Sequence, residues 1–365
     1  MSDMRSLLVD SSRRLFADIC TPDVYNRAEE GTWQPALWSA LMEAGLPDAA
    51  RSPERFGSGA DLGDALTVIR EAGAFCLPAP LAETMIAEIV LAAAGLAPCA
   101  GVLSVGPVVT TDNLSIKQDG DTWLLSGNLH RIPWGRNAES IVILARASNG
   151  WATAVIHAPV TSHLAENFAR EPRDDFNFNS FRISKESVSL GGFNPEELRF
   201  QGALFRLSSM VGALTWILHM TIDYALQRVQ FGRPIAKFQA VQQQIAIMAS
   251  QVGAASAAMD AAIDALRHGP AYFDIAAAKV RVGEAAGIAV GIAHQVHGAM
   301  GFTHEHALHR STRRLWSWRD EFGSENEWAA WIGRVVTGLG AKGLWPFLTS
   351  VPKTTPMPIS DSLLR

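Results

Sequence analysis

The chain has 365 residues, 48% of them hydrophobic and 18% charged, a composition that describes a globular protein and excludes a disordered one. A formal net charge of −5 gives no basic surface bias, so nucleic acid is not an expected partner. Cys20, Cys76 and Cys99 are odd in number and follow no metal-type spacing, which predicts free, mostly buried thiols and a reducing, cytoplasmic setting.

The length suits two or three domains. Residues 1–100 read as a helical N-terminal domain. Its opening, MSDMRSLLVDSSRRLF, is an amphipathic helix of mixed charge rather than a signal peptide. No run reaches the roughly 18 apolar residues of a membrane span. Trp33–Ala44 and Leu62–Phe75 have helical apolar spacing, and the almost wholly apolar Ala82–Leu96 predicts a helix inside the domain. Gly57, Gly59 and Gly63 read as tight turns, because no strand precedes them as a phosphate loop requires.

Over residues 101–203 the period changes. Ser115–Lys117, Trp123–Ser126, Ile141–Ala145 and Ala152–Ile156 suit strands, with hairpin turns at Asp119-Gly120 and Asn149-Gly150. The spacing predicts a small antiparallel barrel or sandwich as the middle domain.

Residues 204–345 read as four antiparallel helices, Phe205–Val229, Phe238–His268, Tyr272–Met300 and Trp328–Leu339, hence a C-terminal four-helix bundle. The second helix carries a stripe at Val241, Ile245, Met248, Val252, Ala255, Met259, Ile263 and Leu266. Gly269-Pro270 separates the second helix from the third, and residues 346–365, with four prolines, read as an extended tail. The fold class is therefore α+β multidomain.

Three stretches could carry chemistry. In LQRVQFGRPIAKFQAVQQQIA, Pro234 breaks two helices, Arg228 and Arg233 flank the break, and Gln239 and Gln242–Gln244 follow it. A guanidinium beside a helix start suits a phosphate and a Gln amide suits a purine edge; a solvated helix–loop–helix is the plainer alternative. His294, His297, His304, His306 and His309 have neither a nearby Cys nor zinc-ligand spacing, so they read as solvated histidines at a helix end and no metal is expected. Asp320 and Glu321 stand beside Arg313, Arg314 and Arg319 and read, without further context, as surface ion pairs.

The pattern Q-R-x-x-F-G-R-P-I-x-x-F-Q between a helical run and a long helix resembles the acyl-CoA dehydrogenase family. The resemblance spans nearly the whole chain and is strongest from Leu226 to Gly323; SPERFGSGADLGDALTVIREAGAFCLPAPLAET is similar to the family's N-terminal domain. It implies that Arg228, Phe231 and Gln239 hold the adenosine and pyrophosphate part of FAD, largely that of a neighbouring subunit. AHQVHGAMGFTHEH resembles the family's Q-x-x-G-G-x-G-[FY]-x-x-E segment, placing Gln295, His297, Gly298 and Gly301 at cofactor positions, with Ala299 for the second glycine. In LHRIPWGRN, Ile132, Pro133 and Trp134 fall where the family lays a strand end against the flavin ring. The family's Thr-Glu-x-x-x-Gly-Ser-Asp segment has no counterpart here.

The family's catalytic loop ends in Glu-Gly-[Thr/Ser] and continues into two FAD-binding residues, which the resemblance places at Ser324 and Asn326. Aligned on Gly323-Ser324, the base position falls on Phe322, with Glu321 one residue earlier and Asp320 two. Glu321, then Asp320, then Asp223 on the first bundle helix are the candidate bases. The implied reaction is FAD-dependent α,β-dehydrogenation of an acyl-CoA. A desolvated carboxylate takes the α-proton, the flavin takes the β-hydrogen as hydride, and electrons pass to an electron-transfer flavoprotein. The implied assembly is a homodimer or tetramer. The alternatives are a non-catalytic FAD-binding subunit in a heterotetramer with a second dehydrogenase-like chain, and a flavin monooxygenase or oxidase on the same fold.

Overall fold

A computed structural model describes residues 3–51, 61–159 and 161–350. Gly57, Gly59 and residues 351–365 of the expected tail lie outside the described residues. The chain divides into two units, Met1–Ala213 with Arg310–Phe322, and Leu214–His309 with Gly323–Arg365.

The first unit opens with helices α1 (Asp3–Ile19), α2 (Pro22–Glu29), α3 (Pro35–Glu43), α4 (Leu62–Ala74) and α5 (Leu81–Ala93). Thr21 caps α2, accepting from the Val24 N–H at 3.4 Å, and Asp61 caps α4 in a reciprocal box with Asp64. As its composition predicts, α5 is buried along most of its length, and it takes Glu83 and Glu88 inside with it.

A seven-stranded sheet follows: β1 (Leu103–Gly106), β2 (Asn113–Asp119), β3 (Thr122–Pro133), β4 (Ser140–Ala147), β5 (Gly150–His157), β6 (Arg173–Ser184) and β7 (Val188–Leu190). The order is β6-β3-β2-β4-β5-β7, with β1 beside β4. The two expected hairpins are present, β2 with β3 and β4 with β5. The sheet is not antiparallel throughout, because β1 runs parallel to β4 from Leu103↔Ser140 to Gly106↔Ile143, and β2 meets β4 in parallel at Ser115↔Arg146. Leu125, Leu129, Ile132, Ile141, Ile143 and Phe176 make its core.

Helix α6 (Pro195–Gln227) begins in the first unit and ends in the second. It crosses α4 with backbone nearly touching backbone. A Cβ on Gly73 would fall 2.1 Å from the Ser209 carbonyl oxygen, and one on Gly212 would fall 1.8 Å from that of Arg70. Only glycine permits this approach.

The second unit continues with a two-stranded ribbon, β8 (Val229–Gln230) and β9 (Arg233–Pro234), and then α7 (Gln239–Ala265) and α8 (Tyr272–His297). Helix α9 (Leu308–Asp320) returns to the first unit, and α10 (Glu325–Thr349) ends the described chain. Both α7 and α10 pack on α8. The buried residues of α7 include Met248, Val252, Ala255 and Met259, the centre of the expected stripe. Two expectations are corrected. Leu308–Asp320, outside the four expected helices, forms a helix of its own, with Leu308, Ser311, Thr312, Arg314 and Leu315 buried. Residues 346–349, assigned to the tail, finish α10 beyond a break at Gly340 (φ 65, ψ 168), held by Phe347 against Phe273 at 4.9 Å.

Two helices, Pro195–Gln227 and Gln239–His268, are long and apolar enough by length and composition alone to cross a membrane, although neither contains an unbroken apolar run of that length. The apolar window of the first is 72% buried within the protein, as in the core helix of a globular fold, and that of the second is 28% buried.

Candidate functional site

In the first unit, residues of α4, α5, α6 and α9 line a small, open-mouthed cavity. Its walls include Ile69, Leu77 and Leu81, the indoles of Trp134 and Trp318, and three charged side chains, Glu83, Glu171 and Arg206. Trp134 stands just beyond β3 in a left-handed conformation (φ 55), edge-on to Trp33 at 6.2 Å, and is 8% exposed. Pro133 is buried beside it, and its carbonyl accepts from Ser104 Oγ at 2.5 Å.

The charged wall belongs to an alternating chain of six buried groups, Glu83, Arg206, Glu321, Arg173, Glu171 and Arg314. Arg206 donates to Glu83 through Nη2 and to Oε2 of Glu321 through Nε at 2.5 Å. Arg173 reaches Oε1 of Glu321 from Nε at 2.8 Å and from Nη2 at 2.6 Å, and Oε2 of Glu171 at 3.1 Å. Glu171 also accepts from Arg314 Nε at 3.0 Å, Trp318 Nε1 at 3.2 Å and Asn167 Nδ2 at 2.9 Å. Three carboxylates meet three guanidiniums, so the buried set is electrically balanced and well supplied with hydrogen bonds, as burial of charge requires.

This arrangement decides the state of Glu321. Burial pushes its carboxyl pKa up, but Arg173 and Arg206 more than offset that and hold it at about 2. A carboxylate that acidic, with both oxygens taken by guanidiniums, is a poor proton acceptor at neutral pH. Its neighbours differ. Asp320 is exposed at the end of α9, and Asp223 is exposed on α6 in the second unit. Phe322 is 3% exposed in a left-handed conformation (φ 55), its ring lying over Gly202 of α6. Glu171 is likewise held below the usual carboxylate range, burial raising it and Arg314 and Arg173 lowering it further.

In the second unit the residues expected at a cofactor fall at three places in the chain. On the turn between α6 and α7, Arg228 and Gln239 are exposed and Phe231 is 92% exposed, its backbone left-handed at φ 51. Arg228 has no ion-pair partner among the described residues. At the end of α8, Gln295 is exposed, Gly298 closes the helix with φ 58, and Gly301 is buried next to His297. Ser324 caps α10, pairing reciprocally with Glu327, and Asn326 is exposed.

His297 corrects the reading of solvated histidines, for it is 2% exposed. Its ring stacks on Tyr224 at 4.4 Å and meets His306 at 4.8 Å, and Nδ1 bonds the Ala293 carbonyl at 2.8 Å. Burial lowers the pKa of His294, His297 and His306, and the neighbouring imidazoles lower the first two further. The three cysteines are free, but only Cys76 is fully buried.

Comparison with known proteins follows the same lines. The family description "Acyl-CoA dehydrogenase, C-terminal domain" matches residues 201–335. The acyl-CoA dehydrogenase IpdE2 of Mycolicibacterium smegmatis is 27% identical over 311 residues, 84% of this chain and 91% of that protein. The 3-sulfinopropanoyl-CoA desulfinase of Paraburkholderia xenovorans is 27% identical over 354 residues, 86% of this chain and 90% of that protein. In fold, the chain is similar to one from the ChsE4-ChsE5 complex of Mycobacterium tuberculosis, with a TM-score of 0.84 at 21% identity over 92% of this chain and 98% of that one. Family pattern over residues 201–335, curated relatives and fold agree, and all three make the chain similar to the acyl-CoA dehydrogenases.

Proposed function

We propose that the protein is an FAD-dependent oxidoreductase acting on an acyl-CoA thioester by α,β-dehydrogenation, with an electron-transfer flavoprotein as acceptor. The observation that carries this reading is the α6–α7 turn, where Arg228, Phe231 and Gln239, the residues the resemblance assigns to the cofactor, are all exposed. These residues fit the group. An unpaired guanidinium suits a diphosphate, an exposed aromatic ring suits the adenosine end, and an amide can pair with its polar edge. When bound, FAD supplies hydride acceptance. The chain's own residues bind and orient: Arg228 neutralises phosphate, Gln239 positions the nucleotide end, and the cavity beside Trp134 holds the acyl group away from water.

Glu321 is a structural counter-ion in this reading and not the base, because Arg173 and Arg206 hold it ionised and occupied. Asp320 and Asp223 remain this chain's candidates for accepting the α-proton. A second reading is favoured by Phe322, which fills the aligned base position with a buried ring. In that reading the chain is the FAD-binding partner of a second dehydrogenase-like chain that brings the base.

The test is a flavin count per purified chain, followed by anaerobic flavin bleaching with a series of acyl-CoA thioesters, alone and after co-expression with a second dehydrogenase-like chain. Stoichiometric FAD with bleaching by the chain alone supports the enzyme. FAD with bleaching only in the co-expressed complex supports the partner subunit. Absence of FAD from both preparations overturns the two readings together.

A further inference from the structure

The acyl cavity is not a plain hydrocarbon pocket. Arg206 and Glu83 line it, their side chains only 5% and 3% exposed. Their mutual bond uses Nη2 and Oε1, and Arg206 Nε is taken by Glu321. That leaves Nη1 of Arg206 and Oε2 of Glu83 without a hydrogen-bond partner among the described residues. Neither atom is among the fully enclosed unpaired ones, so each keeps contact with open space. A donor and an acceptor on two bonded residues thus belong to a wall whose other polar members, Glu171 and Ser209, are bonded within the protein, and whose remaining members include Ile69, Leu77, Leu81, Trp134 and Trp318.

We infer that the acyl group this chain takes carries a hydroxyl, which accepts from Nη1 of Arg206 and donates to Oε2 of Glu83. The inference rests on the reading that this cavity receives the acyl chain. An unsubstituted alkyl chain would displace water from both polar atoms and return nothing, a cost that buried groups carry in full. An acyl group ending in an acid is also disfavoured. The six-residue chain is already balanced, and one more anion would stand uncompensated beside Glu83 and Glu321. A keto group satisfies Arg206 alone.

The experiment uses the purified FAD-containing protein, with its partner chain where one co-purifies, and measures thioester binding by calorimetry. The probes are butyryl-, pentanoyl- and hexanoyl-CoA, the 4-hydroxybutyryl, 4-hydroxypentanoyl and 5-hydroxyhexanoyl counterparts, the 4-oxopentanoyl and 5-oxohexanoyl counterparts, and succinyl- and glutaryl-CoA. At least one hydroxyacyl thioester should bind about tenfold or more tightly than its alkyl match, with the diacids weakest. Alkyl thioesters that bind as well as every hydroxy counterpart, or diacids that bind best, overturn the inference and leave the acyl-CoA reading intact. Failure of all the thioesters to bind overturns both. Arg206→Met strands two buried carboxylates and is expected to fold poorly, so the deciding variant is Glu83→Gln. Its amide oxygen keeps the bond from Arg206 and turns an NH₂ donor to the cavity, so preference should move from hydroxyl to keto. An unchanged hydroxyl-to-keto ratio in that variant also overturns the inference.

Discussion

Phe322 lies so close over Gly202 that a Cβ added to the glycine would fall 2.2 Å from two carbons of the phenyl ring. The buried ring, the left-handed backbone that carries it and the bare glycine beneath form one packing unit. Gly202→Ala is expected to destabilise the first unit by about 1–3 kcal/mol through overpacking. Adding Phe322→Ala should recover part of that loss, because the two sites share one contact. Urea unfolding of the single and double variants measures the coupling. A Gly202→Ala protein that unfolds with the parent's midpoint would place the ring elsewhere.

The Arg206–Glu321–Arg173 bridge predicts a specific acid sensitivity. The Glu321 carboxyl is held at about 2 in the folded chain against an ordinary 4.5. Its contribution is therefore fully present above pH 4.5 and is lost as pH falls towards 2. The difference corresponds to about 3 kcal/mol. Glu321→Gln should flatten that part of the stability profile and lower stability at pH 7 by about 3–5 kcal/mol, the usual cost of removing one member of a buried ion pair. Urea midpoints at intervals from pH 7 to pH 3 test both statements.

The imidazoles at the end of α8 give a second pH dependence at a higher range. His294, His297 and His306 all have folded values below the ordinary one, so the fold favours them neutral. Their contribution is present above pH 6.5 and is lost as pH falls through the folded values. His130 acts in the opposite sense. Its bond from Nδ1 to Asp112 at 2.6 Å raises its pKa, so its contribution is present below pH 6.5 and lost as pH rises, and the exposure of the imidazole keeps it small. Replacing His297 with Phe retains the ring on Tyr224 and should flatten the fall in melting temperature between pH 7.5 and 5.5. A profile identical to the parent's would remove the buried imidazole as its cause.

Arg228→Ala should release flavin. A charge-assisted contact to phosphate is typically a matter of about 1.5–3 kcal/mol, or roughly a 10- to 100-fold weaker retention. The readout is the ratio of flavin to protein absorbance after gel filtration. Full occupancy in the variant would sink the assignment of this turn.

Assembly is the remaining expectation. Leu226, Val229, Phe231 and Ile247 are between 50% and 92% exposed around one turn and the helix that follows it. These exposed apolar side chains are the contact expected between chains. Light scattering should report a dimer or larger, as a homo-oligomer or with a second dehydrogenase-like chain. Ile247→Asp should lower the mass and shed flavin together. A monomer with stoichiometric FAD would contradict the arrangement.

What could be read from the amino-acid order was mostly local. The stripe on α7 survives as Met248, Val252, Ala255 and Met259 because helical period alone selects a buried face. Strand β6 was missed, although Phe176 and Phe178 alternate with polar residues in the period of a strand. The six-charge chain had no local signal. Glu321 is 115 residues from Arg206 and 148 from Arg173, and Arg206 is 123 from Glu83. Without those partners Glu321 looked like a surface carboxylate or a base, and only the meeting of α5, α6, α9 and β6 makes it a counter-ion.

The balanced chain of charges also limits how this protein can diverge. At Glu83, Arg173, Arg206, Glu171, Arg314 and Glu321, a lone change of sign or loss of charge leaves an odd charge stranded in the interior. A lineage can cross that barrier only by exchanging an acid and a base together, or by trading the pair for two apolar groups of matching bulk. Descendants should therefore differ at these positions two at a time, and an intermediate carrying one change should survive only where something else has first made the fold more robust.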